Sequence, residues 1–150
     1  MKNKLINLTA EEAKYGSNKG DGGPFGAIIT DKTGKIISIK HNTVLKDKDP
    51  TAHAEVNAIR EACKVLDTYD LSDCTIYSSC EPCPMCLSAI IWSNIKKVYY
   101  SSTREDAESI GFRDEAIYEY LAEKNNLIEK EQIKSKECEE VLKNYKKEIY

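Results

Sequence analysis

Two short stretches of this 150-residue chain could do chemistry that the rest could not. His53-Ala54-Glu55 sets a carboxylate two residues from an imidazole, and Pro82-Cys83-Pro84-Met85-Cys86 sets two thiols three residues apart. One imidazole and two thiolates are the soft-to-borderline ligands of a zinc ion that keeps a fourth position open for water. With Pro84 opening a helix, Cys83 and Cys86 lie on its first turn, where their sulfurs can converge on one ion. Free amide N–H groups and the positive end of the helix dipole favour thiolate over thiol at that place. Zinc so held brings the pKa of its water to about 7. Glu55, on the turn that His53 begins, is placed to take that water's proton and hand it to a leaving group.

Other cysteines and histidines compete for these roles. Cys80-Glu-Pro-Cys83-Pro-Met-Cys86 holds two overlapping C-x-x-C pairs, so Cys80 is an alternative fourth ligand that would close the shell and leave a purely structural zinc. The other reading of Cys80 is a small buried residue ending a strand. Cys63, Cys74 and Cys138 lack metal-type spacing and read as packing residues, and His41 reads as a surface residue at a strand end.

The elements that must position these groups follow from periodicity. Leu5, Ile6, Leu8, Ala10 and Ala13 suit a first amphipathic helix, stopped by Gly16 and by Gly20-Asp21-Gly22-Gly23-Pro24. Phe25–Thr30 and Lys35–Lys40 read as strands of a hairpin around Asp31-Lys-Thr-Gly34. Thr51 reads as the cap of a helix with Val56, Ile59, Cys63 and Leu66 on its apolar face. Cys74–Ser78 is a buried strand, the helix from Pro84 carries Leu87, Ala89, Ile90 and a core Trp92, and Lys97–Ser101 is a further strand. Short helices are expected over Arg104–Ser109 and from Asp114 to about Leu121, and a helical tail from Lys130 to Tyr150. Alternating strands and helices point to a layered α/β domain.

Residues 1–150 read as one domain, with 41% hydrophobic and 31% charged residues. No apolar run is long enough for a membrane span and the first residues do not lead into a signal-peptide core, so a cytoplasmic protein with reduced cysteines is expected. Twenty-five acidic residues against 22 basic ones give a net charge of −3, which suits a small neutral substrate better than a nucleic acid or a membrane surface.

H-x-E…P-C-x-x-C is a signature of zinc-dependent nucleobase deaminases. With Gly22-Gly-Pro-Phe-Gly-Ala27, Asp49-Pro-Thr-Ala-His-Ala-Glu-Val56, Cys80-Glu-Pro-Cys-Pro-Met-Cys-Leu87 and Gly111-Phe-Arg-Asp114, the chain resembles the cytidine deaminase-like superfamily over residues 20 to 120. Within it the chain is most similar to bacterial guanine deaminases, with plant guanosine deaminases close by. The resemblance implies a three-layer α/β/α fold with a central five-stranded mixed sheet, one Zn2+ per subunit, and a homodimer whose tail, about residues 130–150, is exchanged between subunits. It implies hydrolysis of guanine to xanthine and ammonia, with guanosine, cytosine or tRNA adenosine as the substrates of related branches; a non-catalytic zinc domain is the reading from another class. Residue by residue, His53, Cys83 and Cys86 match zinc ligands and Glu55 the proton shuttle. Asn42, Phe25, Ala54 and Asp114 match substrate-binding positions, and Tyr150 matches a tyrosine supplied by the partner. Asn42 could instead close an Asx-turn, and Asp114 cap a helix. Ser88 and Ile91 depart from the family pattern, where glycine and an aromatic are usual, and Ile91 is a candidate for an altered pocket wall.

Overall fold

Gly-Ala-Ile-Ile-Thr is too short and too evenly apolar for an amphipathic helix, and it forms strand β1 (Gly26–Thr30), buried along its whole length. A strand buried on both faces needs a layer on each side. The computed structural model, which describes Met1–Tyr150, supplies them with α1 (Lys2–Asn18) and α3 (Ala54–Leu66). Alternation along the strands sorts the core accordingly. Ala27 and Ile29 of β1 and Ile76 of β3 (Thr75–Cys80) face Ala54, Ala58 and Ala62, whereas Ile28 and Tyr77 face Leu5.

β1 pairs antiparallel with β2 (Ile36–His41) and with β3, and β3 pairs parallel with β4 (Val98–Ser102), so the sheet is mixed, in the order β2-β1-β3-β4. The parallel pair is bridged by α4 (Pro84–Trp92). Then come α5 (Arg104–Ser109), opened by a Thr103–Asp106 capping box, α6 (Asp114–Leu121) and α7 (Lys136–Asn144). A short α2 (Val44–Asp47) interrupts the loop after β2. No helix is long and apolar enough to cross a membrane.

Several sequence expectations need correction. The sheet has four strands, not five, because after β4 the chain enters helices and the charged stretch that follows α6 has no run of alternating apolar residues. The tail is helical only over Lys136–Asn144. Helix α1 continues through Gly16 to Asn18, since a single glycine inside a helix costs only about 1 kcal/mol. Helix α3 is capped by His53, not Thr51, whose hydroxyl is engaged by Asp49. Its fully buried face is Ala54, Ala58 and Ala62, because small side chains let the helix lie close on the sheet, while Ile59 and Cys63 pack at the margin and Leu66 is exposed. Trp92 is 65% exposed instead of core, and Cys138 is exposed. His41 is no surface histidine: Nδ1 lies 2.7 Å from Glu12 Oε1 and Nε2 2.8 Å from Asp21 Oδ2, tying α1 and the glycine-rich loop to β2. That bond to His41 holds the Asp21 carboxyl below its ordinary range.

Gly26 begins β1 beneath α1, where a Cβ would overlap the Thr9 carbonyl oxygen and crowd the Ala13 amide. Both are helix backbone and cannot swing aside. Gly26→Ala is therefore expected to destabilise the fold by about 2 kcal/mol, seen as a fall in Tm; an unchanged Tm would show that α1 is free to lift off the sheet.

Candidate active site

Both ligand segments sit at helix starts. His53 is the N-cap of α3 and Cys83 that of α4, with Pro84 at the first helical position and Cys86 within the first turn. The helices start side by side because β1, against which α3 packs, is hydrogen-bonded to β3, which runs into α4. At this end the Gly26 N–H donates to Ser79 Oγ at 3.0 Å.

His53 Nδ1 stands 3.4 Å from Cys86 Sγ and 3.6 Å from Cys83 Sγ, and the three donor atoms lie within 4.8 Å of one another. Zn–N and Zn–S bonds of usual length at a tetrahedral angle place N and S about 3.6 Å apart, so the spacing fits zinc. The protonation chemistry fits as well. A hydrogen bond from Cys86, helped by His53, pushes the Cys83 thiol down to about 4, while the neighbouring sulfur and burial push Cys86 up. A divalent cation is what lets both sulfurs stand as thiolates. Cys80 is not part of this group. It ends β3, 6% exposed, with its thiol directed to the Thr103 carbonyl at 3.5 Å, and burial pushes it up to about 11. The closed four-ligand arrangement is thus not formed.

Glu55 is 5% exposed on the first turn of α3, and its Oε1 accepts a hydrogen bond from Ser78 at 2.8 Å. Burial raises its pKa above the ordinary carboxylate range, which makes it a stronger base than an exposed glutamate. The pocket over His53, Glu55 and Cys83 is bounded by Asn42, Phe25 and Asp114. Asn42 does close an Asx-turn, its Oδ1 accepting the Val44 N–H at 3.0 Å, and it lines the pocket all the same. Asp114 is the first residue of α6, whose N-cap is Arg113, so it is not the cap; burial and the nearby Cys83 raise its pKa. Ala54 is wholly buried in the core between His53 and Glu55 and does not line the pocket with its side chain.

The structure does not bring Tyr150 to this pocket. Its ring lies 5.9 Å from that of Trp92 and 6.1 Å from that of Tyr69, on the outer surface of the same chain. Ile91 is 66% exposed and takes no part in the pocket wall; Ser88 is bonded back to the Pro84 carbonyl at 2.8 Å. Two pocket residues and one behind the pocket were missed from sequence. Phe112 packs edge-to-face on Phe25 with centroids 4.9 Å apart, Glu81 forms a rim, and Ser78 holds Glu55. Phe112 and Glu81 lie inside the motifs quoted above, two residues from Asp114 and from Cys83, so their proximity was there to be read. Ser78 had no such signal.

Residues 1–102 match the family described as the cytidine and deoxycytidylate deaminase zinc-binding region, and the chain belongs to that family. Over 106 residues it is 57% identical to the guanine deaminase of Bacillus subtilis, covering 71% of this chain and 67% of that protein. It is 48% identical over 98 residues to a tRNA-specific adenosine deaminase of Aquifex aeolicus, covering 65% and 64%. The X-ray structure of the Bacillus subtilis guanine deaminase superposes with a TM-score of 0.89 and 41% identity over 99% of this chain and 97% of that one. A guanine deaminase from Nitrosomonas europaea superposes with a TM-score of 0.63 and 32% identity over 74% and 62%.

Replacing Cys86 by serine is expected to abolish stoichiometric zinc, whereas Cys80→Ser keeps one zinc per chain. Metal analysis of the two purified variants checks this, and loss of zinc from Cys80→Ser would restore the four-ligand alternative.

Proposed function

We infer that this chain hydrolyses guanine to xanthine and ammonia. The observation that carries the reading is the buried Glu55 carboxyl, held by Ser78 beside the His53–Cys83–Cys86 group, in a pocket bounded by Asn42 and Asp114. A structural metal site has no use for such a carboxyl. Zinc held by these three residues supplies a Lewis acid that makes water acidic near neutral pH. Glu55 accepts one proton of the water that adds to C2 of the base and delivers it to the ring nitrogen, then moves the proton of the added hydroxyl to the amine, which leaves as ammonia while the C2 carbonyl forms. The Ser78 hydroxyl keeps one carboxylate oxygen directed while the other carries the proton.

Guanine suits the pocket's polarity. Glu55, Glu81, Asp114 and Cys83 surround the cavity, and these groups favour a neutral ring rich in N–H donors and repel phosphate. Asp114 accepts from the donor edge of the purine and the Asn42 amide holds another polar position. Phe25 and Phe112 close on the ring faces. An acidic pocket on a chain of net charge −3 speaks against a tRNA substrate, although tRNA-specific adenosine deaminases are among its relatives.

The same reading extends to a homodimer with an exchanged tail. Residues 136–150 are exposed throughout, and Val141, Leu142 and Ile149 present apolar side chains that nothing in the chain covers. On α4, Ile91 is likewise uncovered, and Trp92 stays 65% exposed beside Tyr150. A second copy of the chain supplies complementary apolar surface, and its Tyr150 then closes this chain's pocket.

Ammonia release from guanine, guanosine, cytosine and adenine tests the substrate: turnover of guanine is expected, and preference for guanosine would move the protein to nucleosides. Glu55→Gln is expected to lower kcat about 1000-fold with zinc content and Tm kept, and full activity in that variant would remove the mechanism. Deleting Lys143–Tyr150 is expected to lower kcat/KM about 10-fold or more without loss of zinc. Unchanged turnover by the truncated protein would dispose of the closing role of the tail.

A further inference from the structure

Helix α6 delivers Asp114 to the pocket, yet no residue of that helix is buried. A helix without a buried apolar face is not fixed in place by the core, so its position rests on directional contacts. One of these comes from Tyr118, one turn beyond Asp114 on the same side of the helix. Its hydroxyl donates to the carbonyl oxygen of Pro82 at 2.8 Å. Pro82 is buried and directly precedes the ligand Cys83. The Arg104 guanidinium lies over the Tyr118 ring, 4.3 Å from its centroid, and its Nε reaches Glu115 Oε2 at 3.1 Å. The Arg104 backbone N–H donates to Glu81 Oε1, also at 3.1 Å, while the Glu81 N–H donates to the Ser102 carbonyl at 2.7 Å. The start of α5, the end of β4, the ligand loop and α6 are thereby tied into one polar knot, and Tyr118 is the member that joins α6 to the ligand loop.

We propose that Tyr118 is a positioning residue for the deamination inferred above: its bond to the Pro82 carbonyl sets the distance between Asp114 and the His53–Cys83–Cys86 group, so that the base is presented in one orientation to Glu55. The proposal rests on the guanine reading only for the identity of the ring. Removing the hydroxyl leaves the ring under Arg104, so α6 remains folded but loses its tie to the ligand loop. Binding of the donor edge then weakens, while Glu55 and the three ligands keep their own contacts.

Tyr118→Phe tests this. The variant should keep one zinc per chain and raise KM for guanine about 5- to 10-fold, the effect of one lost hydrogen bond, with a much smaller change in kcat. In an Asp114→Asn background the same substitution should add little, because Tyr118 acts through Asp114. A KM within twofold of the parent, or a full additional loss in the Asp114→Asn background, would overturn the proposal. Absence of guanine turnover in the unaltered protein would instead remove the substrate assignment. The tie is then judged on the rate of zinc loss to a chelator, faster in Tyr118→Phe if it holds and unchanged if it does not.

Discussion

Three donor atoms from two helices have to arrive within 4.8 Å of each other, and most of the architecture serves that meeting. Cys83 and Cys86 are neighbours on one turn, but His53 stands thirty residues before Cys83 and belongs to a helix that packs on other strands. The antiparallel register of β1 on β3, with Ala27 opposite Ser78 and Thr30 opposite Thr75, sets where α3 begins relative to α4. A one-residue slip would turn every side chain of β1 to the opposite layer, placing Ile28 against the alanines of α3 and Ile29 against α1. The core packing of Ile28 and Ile29 is therefore also what holds the ligands in register.

The site is acidic as well as converging. Glu55, Glu81, Asp114 and two thiols share a small region in which His53 is the only imidazole. Desolvation raises Glu55 and Asp114 together, and the sulfurs divide a proton unequally. Such a concentration of negative charge is unfavourable alone and becomes favourable when a dication enters. One electrostatic arrangement thus accounts both for a donor set suited to a dication and for the raised carboxyls of Glu55 and Asp114 beside it.

Away from the site the chain is finished less completely. The sheet ends at β4, α6 is held by polar contacts with nothing buried, and the apolar side chains of residues 136–150 have no cover within the chain. Identity to the Bacillus subtilis enzyme is 57% over 106 residues but falls to 41% when the superposition takes in 99% of the chain.

The sequence by itself marked the His53–Cys83–Cys86 group and the four strands that carry it. H-x-E and P-C-x-x-C bring their own geometry, because residues two or three apart at a helix start have no choice but to be near one another. β1 was readable because Gly-Ala-Ile-Ile-Thr can be stable only when covered on both faces. What the residues could not reveal were relations between distant segments. His41 looked like a surface residue until α1 and the glycine-rich loop brought Glu12 and Asp21 to its two nitrogens. Trp92 looked like core, but the exposed side of α4 is decided by how the helix rolls against the sheet, and Ile90 took the buried place. Ser78 became the partner of Glu55 only through the fold that sets β3 beside α3. Local spacing is enough where a few covalent bonds separate the partners; beyond that, only the packed tertiary structure selects among the many contacts that the same residue types allow.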